Sequence, residues 1–139
     1  MRFWDSSALF PLFVEERTSI HIRELVALDD EVVVWTLTLI ELLSGIWRRD
    51  PSVYDVTRRA AAARLVTLAD SEWSKVADVR SVVAIAKEVA KSYRLRAGDT
   101  LQLSAALVAS EGRPARLPFV TLDGDLATAA RAEGFPILP

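Results

Sequence analysis

Short apolar runs that alternate with helical segments constrain the fold of this chain more than any other feature. EVVVWT at 31–36 and PFVTL at 118–122 are apolar, β-branched or aromatic at almost every position, which is typical of strands buried on both faces. MRFWD at 1–5 and FPIL at 135–138 predict two further strands. Because helical patterns separate these strands, we predict a parallel sheet covered by helices on both faces.

The helices are predicted from apolar spacing and from breaker residues. They fall at 8–14, 16–29, 36–49, 52–69, 81–94, 100–110 and 126–134. Asp50-Pro51 ends the third helix, since a residue before proline disfavours helical geometry. The fourth helix is expected to turn Val53, Val56, Ala60, Ala63 and Leu65 inward. Around residues 70–79 the pattern leaves a short strand or a turn open, and Arg96 to Asp99 interrupts the helical pattern.

Composition excludes several classes of protein. A chain of 139 residues that is 51% hydrophobic suits one domain over 1–139 and argues against disorder. No apolar run reaches about 18 residues, so we expect no membrane span, and MRFWDSSALF lacks the pattern of a secretory signal. The chain has no cysteine and one histidine, His21, which excludes thiolate and multi-histidine zinc sites and favours the cytoplasm.

Four acidic residues follow predicted strands or open predicted helices. Asp5 and Asp123 end strands, Glu41 lies five residues after a strand, and Asp99 opens a helix. In a parallel sheet, functional groups collect at the carboxyl ends of the strands. Helix capping explains each acid taken singly. Helix capping is a weaker explanation for all four acids together, because they lie in the most apolar stretches of the chain, where burying an unpaired carboxylate is costly.

A divalent cation could pair with these carboxylates. No Lys or Arg lies within two residues of Asp5, Glu41 or Asp123, whereas Arg96 precedes Asp99 by three. Oxygen-only ligands favour Mg²⁺ or Mn²⁺ over Zn²⁺. Two carboxylates about 5 Å apart, at an effective dielectric of about 20, repel by roughly 3 kcal/mol, so four would not all stay ionised alone. Clusters of this kind most often catalyse phosphoryl or phosphodiester chemistry.

Four blocks of sequence carry a resemblance to a known family: WDSSAL at 4–9, TLIEL at 38–42, LRAGDTLQL at 95–103 and VTLDGDLATAA at 120–130. In this order and spacing they resemble a PIN domain, and more narrowly the VapC toxins of type II toxin–antitoxin systems. The similarity spans nearly the whole chain. It implies an α/β fold, a single PIN-like domain built as an α/β/α sandwich with a short parallel sheet of four to five strands.

The resemblance also implies an activity, an Mg²⁺-dependent endoribonuclease with Mn²⁺ as the other plausible ion, which cleaves RNA by metal-activated water. It assigns catalysis and metal binding to Asp5, Glu41, Asp99 and Asp123, and polar helper roles to Ser6 and Thr121. For Asp125 the resemblance leaves two roles open, an outer metal ligand or a solvent-facing helix cap. The implied partners are RNA, a second copy of the chain in a homodimer, and a cognate antitoxin whose C-terminal segment blocks the acidic pocket.

A cluster of arginines offers a phosphate-binding surface beside the acids. Residues 47–66 carry five arginines against Asp50 and Asp55, and a solvated helix face is the alternative interpretation. The RNA-binding candidates are Arg48, Arg49, Arg58, Arg59 and Arg96.

Two other functions stay open: a phosphotransfer or phosphatase-type domain on a similar sheet, and a non-catalytic binding module with capped helices. A phosphatase of the haloacid-dehalogenase type would have a second Asp two residues after the first, where this chain has Ser7. A receiver domain would have a Lys at a late strand end, where this chain has Thr121 and Pro139.

Overall fold

A computed structural model of the chain describes residues 1–29, 31–49 and 55–139. The strands are β1 (Arg2–Trp4), β2 (Val32–Trp35), β3 (Ser74–Val76), β4 (Phe119–Val120) and β5 (Ile137–Leu138). The α-helices are α1 (Ser6–Leu9), α2 (Ser19–Ala27), α3 (Thr38–Arg48), α4 (Asp55–Ser71), α5 (Val79–Ser92), α6 (Ala97–Ala109) and α7 (Gly124–Ala132), with 3₁₀ turns at Phe10–Leu12 and Pro114–Arg116. Within the described ranges, no helix has the combined length and apolarity that crossing a membrane requires.

The five strands form one parallel sheet in the order β3-β2-β1-β4-β5. The first strand therefore lies at the centre, with Phe3 opposite Val33 on one side and Trp4 opposite Val120 on the other. The sequence pattern left a short strand or a turn open around residues 70–79, and the structure has a short strand there, β3. The predicted α/β fold with a short parallel sheet is confirmed.

Alternate residues of the strands feed two separate cores, one on each face of the sheet. Phe3, Val33 and Phe119 pack with α5, α6 and α7 on one face. Trp4 and Val34 pack with α1, α2, α3 and α4 on the other. Because helices cover both faces, the carboxyl ends of the strands are left as an open edge, and this edge carries the candidate site.

Helix α4 buries a face that differs from the prediction. Leu65 is fully buried, and Ala62 and Ala69, three residues before it and four after, share its face. Val56 is 78% exposed, and Ala60 and Ala63 are exposed as well, so their predicted inward orientation is wrong. The helix is so rich in alanine and arginine that its single large buried side chain, Leu65, selects the face. Val53 and the break at Asp50-Pro51 lie outside the described residues.

A glycine brings helix α3 close to the segment that follows β1. A Cβ at Gly45 would lie 2.7 Å from Cε2 of Phe10, which is closer than real Cβ atoms approach. The missing side chain therefore lets the Phe10 ring rest on α3. This contact draws together the two elements that carry Asp5 and Glu41.

Candidate acidic site

A cleft of about 500 Å³ opens at the carboxyl edge of the sheet. Its walls include all four acids selected from the sequence and two arginines: Asp5, Glu41, Asp99, Asp123, Arg48 and Arg96. Three of the acids reach this edge because they follow β1, β2 and β4. The fourth, Asp99, arrives from α6, which begins at Ala97 and not at Thr100 as expected, so that Asp99 stands in the first helical turn.

Asp5 is fixed at the floor of the cleft by the sheet itself. Its backbone N–H donates to the carbonyl of Val120 at 3.0 Å, and its own carbonyl accepts from Ala8 and Leu9 at 3.2 Å. The parallel pairing of Trp4 with Val120 places the next residues, Asp5 and Thr121, side by side. Only 2% of Asp5 is exposed.

Hydroxyl groups hold the Asp5 carboxylate. Thr121 Oγ1 donates to Oδ2 at 2.6 Å, Ser7 Oγ donates to the same oxygen, and Ser6 Oγ donates to Oδ1 at 3.3 Å. The two hydroxyls on Oδ2 are themselves oriented, because Ser7 Oγ accepts from Leu122 N at 2.9 Å and Thr121 Oγ1 from Asp123 N at 3.0 Å. Ser6 and Thr121 were predicted as polar helpers of the site, whereas Ser7 was not. A hydroxyl two residues after Asp5, in the first turn of the following helix, was the signal that could have found it.

Glu41 enters the cleft from the first turn of α3. Its Oε2 accepts a hydrogen bond of 2.9 Å from Nε2 of Gln102 on α6. Thr38, fully buried at the start of α3, also binds this amide, accepting from Nε2 at 3.0 Å. Neither Gln102 nor Thr38 was among the candidate site residues.

Helix capping accounts for only one of the four acids. Asp123 is the N-cap of α7, and its Oδ1 accepts from Leu126 N at 2.8 Å. Asp5 precedes α1, yet its side chain makes no capping hydrogen bond. Helices α3 and α6 begin after Leu37 and Arg96, without a side-chain cap, so helix capping does not explain Glu41 or Asp99.

The carboxylates repel one another. The pKa of Asp5 is raised above its ordinary value, chiefly because burial penalises the charged form; the hydrogen bonds from Ser7 and Thr121 only partly offset this, and the charge on Glu41 adds to it. The pKa of Asp99 is also raised, first by burial and then by the charges on Asp123 and Asp5, while Arg96 acts in the opposite direction. Among the residues that the structure describes, no ion pair joins any of the four acids to a lysine or arginine.

The donor set fits a hard divalent cation. The four carboxylates supply oxygen ligands only. Their combined negative charge makes them repel one another, and a dication would neutralise that charge. In residues 1–29, 31–49 and 55–139, no three acidic or histidine side chains already converge on a common point.

The predicted RNA-binding arginines divide into two groups. Arg48 and Arg96 line the cleft. Arg49 pairs with Glu16 at 2.6 Å, with its guanidinium over the Phe10 ring, and Arg58 lies over the Trp47 ring, 5.8 Å from its centroid. Arg59 is exposed on α4 and does not line the cleft.

Asp125 lies outside the main cleft, exposed in the first turn of α7. It borders a side cavity of about 130 Å³ together with Arg94, Arg96, Asp99 and Asp123. It does not cap α7, since Asp123 does.

The fold and this cleft together define an α/β domain with an acidic site at the carboxyl edge of a parallel sheet. The sequence profile of the PIN domain matches residues 2–132. The chain therefore belongs to the PIN domain family. No curated protein matches it in sequence.

Several solved structures share this fold. A toxin–antitoxin complex from Klebsiella pneumoniae has a TM-score of 0.67 at 18% identity, covering 100% of this chain and 97% of that one. FitAcB from Neisseria gonorrhoeae has a TM-score of 0.70 at 15% identity, with 100% and 97% covered. VapBC-5 from Mycobacterium tuberculosis, of the VapBC toxin–antitoxin family, has a TM-score of 0.57 at 23% identity, with 99% and 94% covered. At these identities the likeness is one of fold.

Proposed function

We propose that this protein is a metal-dependent endoribonuclease, the VapC-type toxin of a type II toxin–antitoxin pair. The observation that carries the proposal is the convergence of Asp5, Glu41, Asp99 and Asp123 on one cleft, where none of them pairs with a lysine or arginine among the described residues. PIN domains are generally nucleases, and toxin–antitoxin proteins are among the chains that share this fold.

Each group in the cleft has a distinct task in this proposal. Asp5 and Asp99 bind Mg²⁺ or Mn²⁺ directly, and Glu41 and Asp123 bind it directly or through water. A cation held there would supply Lewis-acid chemistry, which activates water for attack and offsets negative charge on the phosphate. Thr121, Ser6 and Ser7 hold the Asp5 carboxylate in one orientation.

Phosphate binding is assigned to the two arginines of the cleft. Arg48 and Arg96 place guanidinium groups on the same walls as the acids, where they can hold the RNA backbone against the repulsion of the carboxylates. Arg49, Arg58 and Arg59 would act further out along the RNA.

The two alternative functions find less support. A phosphatase of the haloacid-dehalogenase type needs a second acid two residues after Asp5, whereas the residue there is Ser7, which donates a hydrogen bond to the Asp5 carboxylate. A binding module with capped helices would use its acids as caps, and only Asp123 of the four does so.

The test is cleavage of single-stranded RNA by the purified protein with Mg²⁺, with Mn²⁺ and with EDTA. We expect cleavage with either metal and none with EDTA. Asp5→Ala and Asp99→Ala should each lower the rate by about 1,000-fold or more. Asp70→Ala, an exposed acid paired with Lys75, is the matched control. Metal-independent cleavage, or a parental rate in either cleft variant, contradicts the proposal.

Two protein partners belong to the proposal, and both follow from surfaces left uncovered. Four acids against two arginines leave the cleft negative, which suits a basic segment of an antitoxin that blocks it. The exposed apolar side chains include Leu37 and Ile40 at the start of α3 and Val79 and Val83 on α5, and exposed apolar surface of this kind suits a homodimer. Both partners place the protein in the cytoplasm, where RNA is available.

The partners are tested separately. Light scattering should give a dimer for the parental protein and a monomer for Ile40→Glu with Val83→Glu. The product of a short reading frame beside the gene should bind the protein and stop RNA cleavage. A parental monomer removes the dimer from the proposal, and continued cleavage in the complex removes the blocking role.

A further inference from the structure

Gln102 is a buried amide inside a largely apolar helix. It lies on α6, less than one turn after Asp99, and only 1% of it is exposed. Its sequence neighbours are Leu101 and Leu103. Burying an amide is unfavourable unless its hydrogen bonds are made, so its partners indicate why a polar side chain occupies this position.

Both partners of the Gln102 amide lie on α3, across the interface between the two helices. Nε2 donates to Glu41 Oε2 at 2.9 Å and to Thr38 Oγ1 at 3.0 Å. An ionised carboxylate only accepts hydrogen bonds, so the amide nitrogen must be the atom that faces Glu41. The Thr38 hydroxyl contacts both ends of the amide, since it accepts from Nε2 at 3.0 Å and donates to Oε1 at 3.4 Å, and it thereby helps to fix the rotation of the amide.

The consequence is a Glu41 carboxylate with one oxygen engaged and the other turned to the first turn of α6. A Cβ built on Gly98 would lie 3.6 Å from Oε1, so this oxygen stands beside Gly98, the residue that precedes Asp99. A neutral amide orients the carboxylate without cancelling its charge. A lysine or arginine in its place would compete with a cation for the same oxygen.

We propose that Gln102 is a positioning residue that presents Oε1 of Glu41 to the divalent cation, with Thr38 locking the amide. The inference rests on the proposed metal-dependent function and adds to it a residue that never touches substrate or cation.

The first experiment is calorimetric titration of the metal-free protein with Mn²⁺. Gln102→Leu removes the donor at similar size, and we expect Mn²⁺ affinity to fall about 10-fold, as for other residues that orient metal ligands. The turnover number kcat should fall with it, while KM for RNA stays within about twofold, since the arginines that bind phosphate are unchanged. Ser104→Ala is the matched control: Ser104 is equally buried on α6 and donates to Thr100 O at 2.6 Å, with no bond to Glu41.

A second variant guards against loss of folding. Thr38→Val with Gln102→Leu removes both members of the hydrogen bond, which leaves no buried hydroxyl unpaired. It should retain the parental circular dichroism spectrum and bind Mn²⁺ as weakly as Gln102→Leu.

Comparison with Glu41→Ala separates positioning from general support of the fold. If Gln102 acts through Glu41, adding Gln102→Leu to Glu41→Ala should cause no further loss of Mn²⁺ affinity. If Glu41→Ala weakens Mn²⁺ binding and Gln102→Leu does not, or if the two losses add, the positioning role is overturned and the proposed function stands. If the parental protein binds no Mn²⁺, both are overturned.

Discussion

The acidic cleft and the groove between α2 and α4 differ in size and in how their charges are paired. The groove is the larger of the two cavities, at about 660 Å³. It is lined by several charged residues and by Leu12, Val26, Leu68 and Trp73. Its charges have partners: Asp29 accepts from Trp4 Nε1 at 2.7 Å, and Arg64 donates to the Leu12 carbonyl at 3.3 Å. The cleft holds about 500 Å³ and four acids with no ion pair to lysine or arginine among the described residues.

The larger cavity of this molecule is therefore not the one that gathers unpaired acids. In the groove, Arg23 pairs with Glu15 and Asp29 with the amino group of Met1, so these charges are neutralised within the fold. In the cleft, burial and repulsion raise the pKa of Asp5 and of Asp99. Unpaired like charges at that depth are maintained at a cost in stability, which is typical of a site that binds a ligand.

The largest effect should come from the core on the groove side. Leu65 is fully buried on α4, so Leu65→Ala should lower the free energy of unfolding by about 2–5 kcal/mol. Val66→Ala, at a more exposed position on the same helix, should change it by no more than about 0.5 kcal/mol. Urea denaturation measures both. A folded Leu65→Ala protein that no longer binds Mn²⁺ would show that the two regions are coupled.

Metal binding should distinguish the cleft from the groove directly. Mn²⁺ at 100 times its dissociation constant should stabilise the protein by about 2.7 kcal/mol, seen as a rise in Tm. Asp99→Ala should abolish the rise, whereas Glu72→Ala, at a groove position, should keep it. An equal rise in both variants would place the bound metal outside the cleft.

RNA affinity should depend on the arginines of the cleft more than on those already engaged elsewhere. In anisotropy titrations without divalent metal, Arg48→Ala with Arg96→Ala should reduce the slope of log affinity against log salt by about 0.7 for each phosphate that the two side chains neutralise. Arg49→Ala should have a smaller effect, because Arg49 pairs with Glu16. Equal slopes for all the variants would show that Arg48 and Arg96 are ordinary solvent-exposed side chains that do not bind RNA phosphates.

The smallest effect is a gain in stability from neutralising Asp99. Its folded-state pKa lies above the ordinary value of 3.8, so its contribution to stability is present below pH 3.8 and is lost as the pH rises through the raised pKa. In EDTA at neutral pH, Asp99→Asn should therefore be more stable, by less than about 1 kcal/mol because solvent screens this partly exposed group. The gain should vanish near pH ~3, where the carboxyl is protonated in both states. Asp70→Asn is the exposed control, and a gain of the same size there would contradict the argument.

Much of the fold could be predicted because its central strands are apolar on both faces. The runs that contain Val33 and Phe119 indicate burial without any tertiary information. Strand β3 could not be predicted with the same ease, since it is three residues long and only Val76 is buried. The face of α4 was mispredicted because several alanine registers are compatible with its sequence and only packing selects among them.

The same reasoning separates what was predictable at the site. Asp5 and Asp123 follow strands, so a parallel sheet brings them together once the strand order is known. The link from Gln102 to Glu41 depends on the approach of α3 to α6, which local periodicity does not encode. A polar residue within the apolar run of α6 was the available signal, because a buried amide requires a partner.

The position of β4 beside β1 has a consequence for protein synthesis. Asp5 leaves the ribosome more than a hundred residues before Thr121 and Asp123 do. A nascent chain that ends before residue 119 has neither the strand that flanks Asp5 nor the hydroxyl that orients it. The acidic cleft therefore cannot assemble until β4 has been synthesised and has paired with β1.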